Sequence, residues 1–413
     1  MLNGEQVGAT KDVVILGGGV VGLALARELA RRGASVALVE RGRVGAESSW
    51  AAGGMLAPQC EADARDEFFR LACAARDFYP GFAASLREET GIDIELDETG
   101  TLYLATTEED ARECERRYDW QSRAGLAVER LTADEAREIE PRISPRALAA
   151  LRFPRDWQVE NRRLAEALKR SCELRGVRIH EHTPAISVGV ERGRAVSVET
   201  ERGRVSAGAV VVACGAWSSQ VKIGARRGGE GVERRDTGDR QSVNGAAHAQ
   251  SGGVSGVRVE PVRGQMLSFE TGGEPFVRHV IYGPRGYLVP RRTGRLLAGS
   301  TSERAGFDKS VTEEGRELIM SHAAELAPAI CELRLAEAWA GLRPRGEDDW
   351  PVVGESAEAE NLFYATAHYR NGILLAPLTA ALLAEMIVNR VAPPLLAPFT
   401  PARFRRAATL AAR

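Results

Sequence analysis

The feature that most constrains the fold is a glycine-rich turn between an apolar strand and an amphipathic helix. Residues 12–40 read DVVILGGGVVGLALARELARRGASVALVE, so a second apolar strand follows the helix. An apolar run, a cluster of glycines, a helical period and a further apolar run are typical of a βαβ unit. We therefore predict an α/β fold with a nucleotide-binding turn after its first strand.

The turn has the spacing Gly17-x-Gly19-x-x-Gly22. In dinucleotide-binding loops the first glycine allows a tight turn and the second lets the backbone approach a pyrophosphate. The third lets the helix pack closely on the strand. We predict that the turn and the start of the helix bind a pyrophosphate through Gly17, Gly19, Val20, Val21 and Gly22.

Glu40 stands at the end of the second strand, where a carboxylate accepts hydrogen bonds from a ribose hydroxyl. An acid at this position disfavours a 2′-phosphate, which argues against NADP. The motif alone does not separate NAD from FAD. A glycine-rich turn in a ligand-free α/β domain is the structural alternative.

Composition narrows the class of protein. A chain of 413 residues predicts two domains or one large discontinuous domain. The 55 basic and 57 acidic residues nearly balance, which argues against a nucleic-acid partner. The six cysteines form no CxxC pair, so a reducing compartment is indicated, with neither a disulfide framework nor a metal site.

The amino terminus, MLNGEQVGATKD, lacks the layout of a signal peptide. The apolar run at residues 13–26 has 14 residues, too few to span a bilayer. We therefore expect a soluble cytoplasmic protein that does not insert into a membrane.

The remaining elements follow from periodicity and turn residues. We predict helices at 66–90, 107–124, 162–176, 312–326 and 375–390, and strands at 92–106 (a hairpin), 185–205, 209–214, 258–270, 287–301, 333–345 and 361–367. Thr312 should begin its helix as the N-cap. Residues 222–256 hold nine glycines and no aromatic residue, so we predict a flexible insertion there.

Two further segments are rich in small residues. The stretch ESSWAAGGMLAPQ, residues 47–59, can approach a flat, phosphorylated ligand through Ser48, Ser49, Ala52, Gly53, Gly54 and Met55. On composition alone this stretch is equally typical of a flexible loop. The stretch VVVACGAWS, residues 210–218, ends a buried strand with Gly215 and Trp217, which either pass near a cofactor or form an ordinary strand end with a core tryptophan.

Together, the motifs GGGVVG, SSWAAGGMLAP, CGAWS, VRGQM, YLVPR, GLRP and HYRNGILLAP resemble the FAD-dependent amine oxidases of the D-amino-acid oxidase group. Within that group the chain is similar to the glycine oxidases of the thiamine-biosynthesis type. The resemblance runs from about residue 12 to 390 and is broken mainly by residues 222–256. The resemblance implies that residues 47–59 form the loop that lies along the ribityl chain and isoalloxazine of FAD.

The resemblance implies a discontinuous domain organisation. A Rossmann-like FAD-binding domain would comprise residues 12–90, 155–221 and 340–413. An antiparallel-sheet substrate-binding domain would comprise residues 91–154 and 257–339.

The resemblance also implies roles for three residues. Arg343 would fork the substrate carboxylate, a task that suits a planar bidentate donor. Tyr287 would line the pocket and touch the same carboxylate, and Arg370 would lie beside the flavin edge. Without the resemblance, a surface or interdomain salt bridge explains Arg343, and an ordinary strand aromatic explains Tyr287.

The turn at Arg370 also precedes an apolar helix, so its backbone N–H groups would stabilise negative charge on the reduced flavin. The residues concerned are Arg370, Asn371, Gly372, Ile373 and Leu374. Arg370 itself would meet either that charge or a carboxylate held nearby. His368 should cap or pack and not act as a base.

Three positions depart from the family pattern. Arg285 stands where the family often has a histidine, Ser302 where it often has a methionine, and Arg345 where it usually has a glycine. We predict that Arg285 and Ser302 contact the substrate, so these changes bear on which substrate is used.

The implied reaction is oxidative deamination of glycine or another small amino acid, with hydride transfer from Cα to flavin N5 and oxygen reduced to hydrogen peroxide. The product imine could feed thiamine thiazole synthesis. The alternatives are a D-amino-acid or sarcosine oxidase or dehydrogenase, and a flavin-binding protein without oxidase activity. We expect non-covalent FAD and a homo-oligomer.

Overall fold

A nine-stranded sheet with a parallel centre forms the larger layer among residues 10–225 and 256–404, the part of the chain that the computed structural model describes. The helices are α1 (Val20–Arg31), α2 (Ser48–Ala51), α3 (Pro58–Glu61), α4 (Glu67–Thr90), α5 (Glu108–Arg123), α6 (Ala133–Ile139), α7 (Asn161–Leu174), α8 (Glu313–Leu326) and α9 (Gly372–Asn389). The strands are β1 (Lys11–Leu16), β2 (Val36–Val39), β3 (Met55–Leu56), β4 (Thr101–Ala105), β5 (Glu129–Thr132), β6 (Ala149–Phe153), β7 (Trp157–Gln158), β8 (Arg178–His180), β9 (Ala185–Glu191), β10 (Arg194–Thr200), β11 (Gly203–Val212), β12 (Lys222–Ala225), β13 (Val259–Glu270), β14 (Val280–Tyr282), β15 (Tyr287–Arg291), β16 (Arg295–Gly299), β17 (Arg334–Gly346), β18 (Val352–Glu355) and β19 (Leu362–Thr366).

The centre of this sheet has the order β8-β2-β1-β11-β19, and all of these neighbours are parallel. Its strands are apolar because both faces of a parallel sheet are covered. Leu16 pairs with Val39 on one side and Val212 on the other. The residues that follow β1, β2, β11 and β19 therefore meet at one edge, where parallel sheets bind ligands.

Helix α9 packs against α1 and α4 over one face of the sheet. With the turn before it, Tyr369–Asn389, it is long and apolar enough to span a membrane by length and composition. It is longer than the apolar run at 13–26, on which the sequence prediction rested. Most of its apolar window is buried within the protein, so its composition is that of a core helix.

A second, eight-stranded sheet has the order β17-β13-β16-β15-β14-β4-β6-β5. Its longest pair, β13 and β17, is antiparallel from Val259↔Gly346 to Glu270↔Arg334. Helix α8 packs on this sheet, and Thr312 caps α8 by accepting a bond from the Gly315 N–H, which confirms the predicted N-cap.

The βαβ unit, the helices and the β15–β16 hairpin are confirmed within one or two residues, except that the last predicted helix begins earlier, at Gly372. The predicted hairpin at 92–106 is wrong, since only β4 forms there and it pairs with β6 and β14. Asp97 instead exchanges backbone bonds of 2.9 and 3.1 Å with Gln158, which holds the preceding segment against β7.

The predicted insertion at 222–256 is wrong at its start, because residues 222–225 form β12, parallel to β9. Residues 226–255 lie outside the described part of the chain. The domain division stays a prediction, and β17 runs through its boundary at residue 340 without a break.

Substitution Leu383→Ala should test the role of α9 in the core. Leu383 is fully buried, so the truncation leaves a cavity and should cost about 2–5 kcal/mol. The change is measured as a lower thermal unfolding midpoint. Val388→Ala, at an exposed position of the same helix, is the matched control and should leave the midpoint nearly unchanged. Equal midpoints for the two variants would contradict the core assignment.

Candidate functional site

A cavity of about 400 Å³ lies at the edge where β1, β2, β11 and β19 end, and β13, β15 and β17 of the second sheet close it. Nearly all residues predicted to bind cofactor or substrate line it: Gly17, Gly19, Val20, Val21, Glu40, Ser48, Ser49, Ala52, Gly53, Gly54, Met55, Gly215, Trp217, Tyr287, Arg343, Arg370, Asn371, Gly372 and Ile373. Gly22 and Leu374 do not line it and pack behind its wall. Fold and sequence motifs therefore converge on one site.

The turn between β1 and α1 approaches neighbouring backbone too closely for any side chain. A Cβ on Gly17, whose φ is +102°, would lie 2.3 Å from the Ala213 carbonyl oxygen. A Cβ on Gly22 would lie 2.0 Å from the Gly17 carbonyl oxygen. The α1 N-terminus thus reaches the cavity with its backbone exposed, which suits an anion. The Val20 N–H donates to Ser49 Oγ at 2.9 Å.

Glu40 is held in the cavity wall by two backbone donors. Its Oε2 accepts from the Gly18 N–H at 2.7 Å, and its Oε1 accepts from the Gly42 N–H at 2.8 Å. Each carboxylate oxygen keeps a second lone pair for another donor. The geometry therefore leaves Glu40 able to accept from a ribose hydroxyl.

The segment 47–59, which we call the small-residue segment, is fixed in place. The Ser48 hydroxyl donates to the Leu342 carbonyl of β17. The Trp339 indole N–H donates to the Ala51 carbonyl at 3.0 Å. These bonds join the segment to the second sheet, so the flexible-loop alternative is wrong.

Arg343 projects from β17 beside Gly264 of β13, where a Cβ would lie 2.1 Å from Nη1. Its Nη1 donates to the Thr301 carbonyl at 3.0 Å and its Nη2 donates to Ser300 Oγ at 2.7 Å. Within residues 10–225 and 256–404 it forms no ion pair. The site thus contains a half-buried guanidinium whose charge is not balanced by a protein carboxylate.

Tyr287 lies in the same cavity at the start of β15. Its hydroxyl has Met266 Sδ as a partner at 3.2 Å, and sulfur is a weak acceptor, so a stronger acceptor could replace it. A Cβ on Gly53 would lie 3.4 Å from the Tyr287 ring. Tyr287 stacks on Tyr282, which stacks on Tyr103, with centroids 6.2 and 5.8 Å apart.

Arg370 is paired with a nearby carboxylate, one of the two partners predicted for it, and the residue that supplies the carboxylate, Glu61, was not predicted. Its Nη2 donates to Glu61 Oε1 at 3.1 Å, and the Tyr282 hydroxyl lies 3.5 Å away. The Glu61 carboxylate holds the pKa of Arg370 above its ordinary value. Burial raises the pKa of the Tyr282 hydroxyl, so Tyr282 stays protonated.

Arg285 and Ser302 do not line the 400 Å³ cavity. They lie in an adjoining cavity of about 630 Å³ that shares Tyr287 and Arg370 with it. Arg285 is ion-paired with Asp110 at 2.8 Å and Glu325 at 2.6 Å, and both bonds raise its pKa. Its contact with substrate therefore stays a prediction, and its charge is already balanced.

His368 packs as predicted. Its Nε2 lies 3.2 Å from Thr379 Oγ1 of α9, and burial lowers its pKa to about 4. It is therefore neutral near pH 7.

The chain matches the family described as DAO, FAD dependent oxidoreductase, over residues 12–386. It belongs to the DAO family of FAD-dependent oxidoreductases. It is 37% identical to the glycine oxidase of Geobacillus kaustophilus strain HTA426 over 94% of this chain and 96% of that protein. The crystal structure of glycine oxidase from G. kaustophilus superposes with a TM-score of 0.85 and 35% identity, covering 96% of this chain and 99% of that one. The bifunctional protein ThiO/ThiG of Trichormus variabilis is 31% identical over 97% of this chain and 56% of its own length.

The residues of this DAO-family chain fit FAD. The α1 N-terminus and the side-chain-free turn at Gly17 suit a pyrophosphate, and the fixed carboxylate of Glu40 suits a ribose. Residues of the small-residue segment and of the start of α9 line the rest of the cavity.

The lining residues that were not predicted from the sequence include Arg41, Glu61, Gly264 and Met266. Arg41 stacks its guanidinium 3.5 Å from the centroid of Trp217 and pairs with Glu47. Gly264 and Met266 both lie in the VRGQM motif, so that motif was a usable signal. Glu61 follows the small-residue segment by two residues, and its opposite charge to Arg370 was the only hint.

Substitution Glu40→Gln should weaken FAD binding. The neutral amide loses the charge-assisted bonds of the carboxylate, and the dissociation constant should rise on the order of tenfold to 100-fold. Quenching of flavin fluorescence on adding FAD to apoprotein measures this constant. Glu166→Gln, at an exposed position of α7, is the control. An unchanged constant for Glu40→Gln would refute the ribose assignment.

His368 should make the fold less stable in acid. Its folded pKa is about 4 and its ordinary pKa is 6.5, so between these values the unfolded chain binds a proton that the folded chain does not. The stability from neutral His368 is fully present above pH 6.5 and is lost as the pH falls towards 4. The unfolding midpoint of His368→Asn should therefore fall less between pH 7.5 and 4.5 than that of the parent. His182→Asn, at an exposed position, should behave as the parent. Equal falls for all three proteins would exclude this effect.

Proposed function

We propose that this chain catalyses oxidative deamination of glycine or another small amino acid. The observation that carries the proposal is the Arg343 guanidinium, which faces the cavity without a carboxylate partner among the described residues. A buried or half-buried cation needs an anion, and a substrate carboxylate supplies one. Its similarity to glycine oxidases makes glycine the first substrate to test.

Arg343 would bind the carboxylate as a preoriented fork. Two of its five N–H donors are engaged by Ser300 Oγ and the Thr301 carbonyl, which hold the plane of the guanidinium. The remaining donors suit two carboxylate oxygens. The Tyr287 hydroxyl would leave Met266 Sδ for the carboxylate, a stronger acceptor.

FAD, when bound, supplies the acceptor for the hydride that leaves the substrate Cα. The chain contributes orientation and electrostatics. The positive charge of Arg343 favours a neutral substrate amine over an ammonium, which leaves the nitrogen lone pair available. His368 is bonded to Thr379 and Tyr282 stays protonated, so neither is arranged as a base.

Oxygen would take up the two electrons and two protons as hydrogen peroxide, and the imine would hydrolyse to a 2-oxo acid and ammonia or enter thiazole synthesis. The similarity to a ThiO/ThiG protein supports the second fate. We further propose a cytoplasmic location and a homo-oligomer. The adjoining cavity beside Tyr287 and Arg370 gives room for an N-substituent, which keeps sarcosine as a second candidate.

An anaerobic titration tests the proposal directly. Glycine, sarcosine and D-alanine are each added to the FAD-loaded protein while the flavin absorption is followed. Bleaching by glycine supports the proposal, and oxygen uptake with peroxide release then separates an oxidase from a dehydrogenase. Bleaching by D-alanine or sarcosine but not by glycine would keep the reaction type and assign a different substrate. No bleaching by any of the three would reject the proposal.

Substitution Arg343→Lys should lower kcat/KM for glycine. Lysine keeps the charge but loses the fork, and the loss should be on the order of tenfold to 100-fold. Arg334→Lys, at the exposed outer end of the same strand, is the matched control. FAD affinity should stay unchanged in both variants. Parental kcat/KM in Arg343→Lys would exclude Arg343 as the carboxylate anchor.

A further inference from the structure

The backbone of the small-residue segment is held from behind by donors that do not line the cavity. Asn161 Nδ2, at the start of α7, donates to the carbonyls of Ser49 and Trp50 at 2.8 and 3.0 Å. The Val159 N–H donates to the Gly54 carbonyl at 2.9 Å. The position of this cavity wall is thus set by side chains and backbone outside the site.

Arg291 is the centre of this arrangement. It ends β15, and its side chain is 2% exposed. Its Nη2 donates to the Gly53 carbonyl at 2.7 Å and to Asn161 Oδ1 at 3.2 Å. Its Nη1 donates to Gln158 Oε1 at 2.8 Å and to the Val159 carbonyl at 3.0 Å.

A carboxylate balances this buried charge. Glu160 Oε2 lies 3.2 Å from Arg291 Nε and 3.3 Å from Arg295 Nη2. Such a buried pair is often no more stabilising than apolar residues of the same volume. Stability alone is therefore a weak reason for a guanidinium here, whereas the fixed fork geometry gives a specific reason.

Arg291 and Tyr287 lie four residues apart on β15 and so share one face of the strand. Both reach Gly53. Arg291 bonds its carbonyl, and the Tyr287 ring lies 3.4 Å from where a Gly53 Cβ would stand. One strand therefore fixes both a predicted carboxylate contact and the segment predicted to carry the flavin.

We propose that Arg291 is a positioning residue that sets the distance between Tyr287 and the small-residue segment, and thereby aligns the bound amino acid with the flavin. The inference rests on the proposed function of the site. Arg291 does not line the cavity, so it acts through Gly53 and Asn161 and not by touching substrate.

The test compares Arg291→Lys with Arg27→Lys. Arg27 is the matched control, because it is equally buried, pairs with Glu89 at 2.8 Å and bonds Ser85 and Ser171 instead of residues of the segment. The readouts are the unfolding midpoint, the FAD dissociation constant, the visible flavin spectrum, and the rate of anaerobic bleaching by glycine at saturation.

Both variants should lose unfolding midpoint, since each replaces a buried fork by a single ammonium. Only Arg291→Lys should weaken FAD binding, by about tenfold, shift the visible flavin band and slow saturated bleaching on the order of 100-fold. The glycine concentration for half-saturation should change less than about threefold, because Arg343 is held by other bonds.

Three outcomes would overturn the proposal: no change in FAD affinity and bleaching rate, equal changes in Arg27→Lys, or weaker FAD binding with an unchanged bleaching rate. If Arg291→Lys does not fold, the double variant Arg291→Met, Glu160→Gln removes both charges and is read in the same way. If the parent protein is not bleached by any amino acid, the proposed function fails, and the FAD affinity and spectrum still test whether Arg291 positions the segment.

Discussion

The contact between the small-residue segment and the two sheets is the constraint on which the site depends. The segment runs along the edge where the parallel strands end, and residues of β17 bind it from the other side. Even an alanine in place of Gly341 would separate these layers, because its Cβ would lie 2.5 Å from the Ala51 Cβ. Close backbone packing therefore gives this part of the cavity its shape.

The positive charges of the arginines that line the cavity are only partly balanced by carboxylates of the protein. Three of the arginines that line it differ in their partners: Arg41 pairs with Glu47, Arg370 pairs with Glu61, and Arg343 pairs with no described carboxylate. The first two charges are neutralised within the protein before any ligand binds. Among the described residues no carboxylate balances the remaining charge, which is the observation behind the proposal that a substrate carboxylate binds there.

The sequence predicted the parallel half of the fold well because its signals are local. The glycine spacing, the apolar strands and Glu40 are read within one βαβ unit, and the structure places them together. The predicted hairpin at 92–106 failed because alternation does not say which strand is the partner. Asp97 forms its backbone hydrogen bonds with Gln158, about sixty residues away along the chain, and no local sequence pattern predicts that pairing.

Prediction of the site from the sequence was limited in the same way. The family motifs identified Arg343, Tyr287 and Arg370, which line one cavity. The pairing of Arg370 with Glu61 and the two ion pairs of Arg285 depend on tertiary packing, which the motifs do not describe. Asp110 and Glu325, which bind Arg285, belong to helices α5 and α8, far apart in sequence. Helix α6 was not among the predicted helices, although its start could have been recognised, since Thr132 and Glu135 form a capping box that is visible in the sequence.

The pairing of β1 with β11, and of β11 with β19, also bears on how the protein is made. The register joins Lys11 to Ala207 and Val210 to Leu362, so the central strands are separated by most of the chain. Contacts of such long sequence separation form slowly, because large loops must close before they stabilise anything. The cofactor-binding edge is complete only when β19 and the start of α9 have been synthesised, so we expect the cofactor to bind late, after assembly of the sheet.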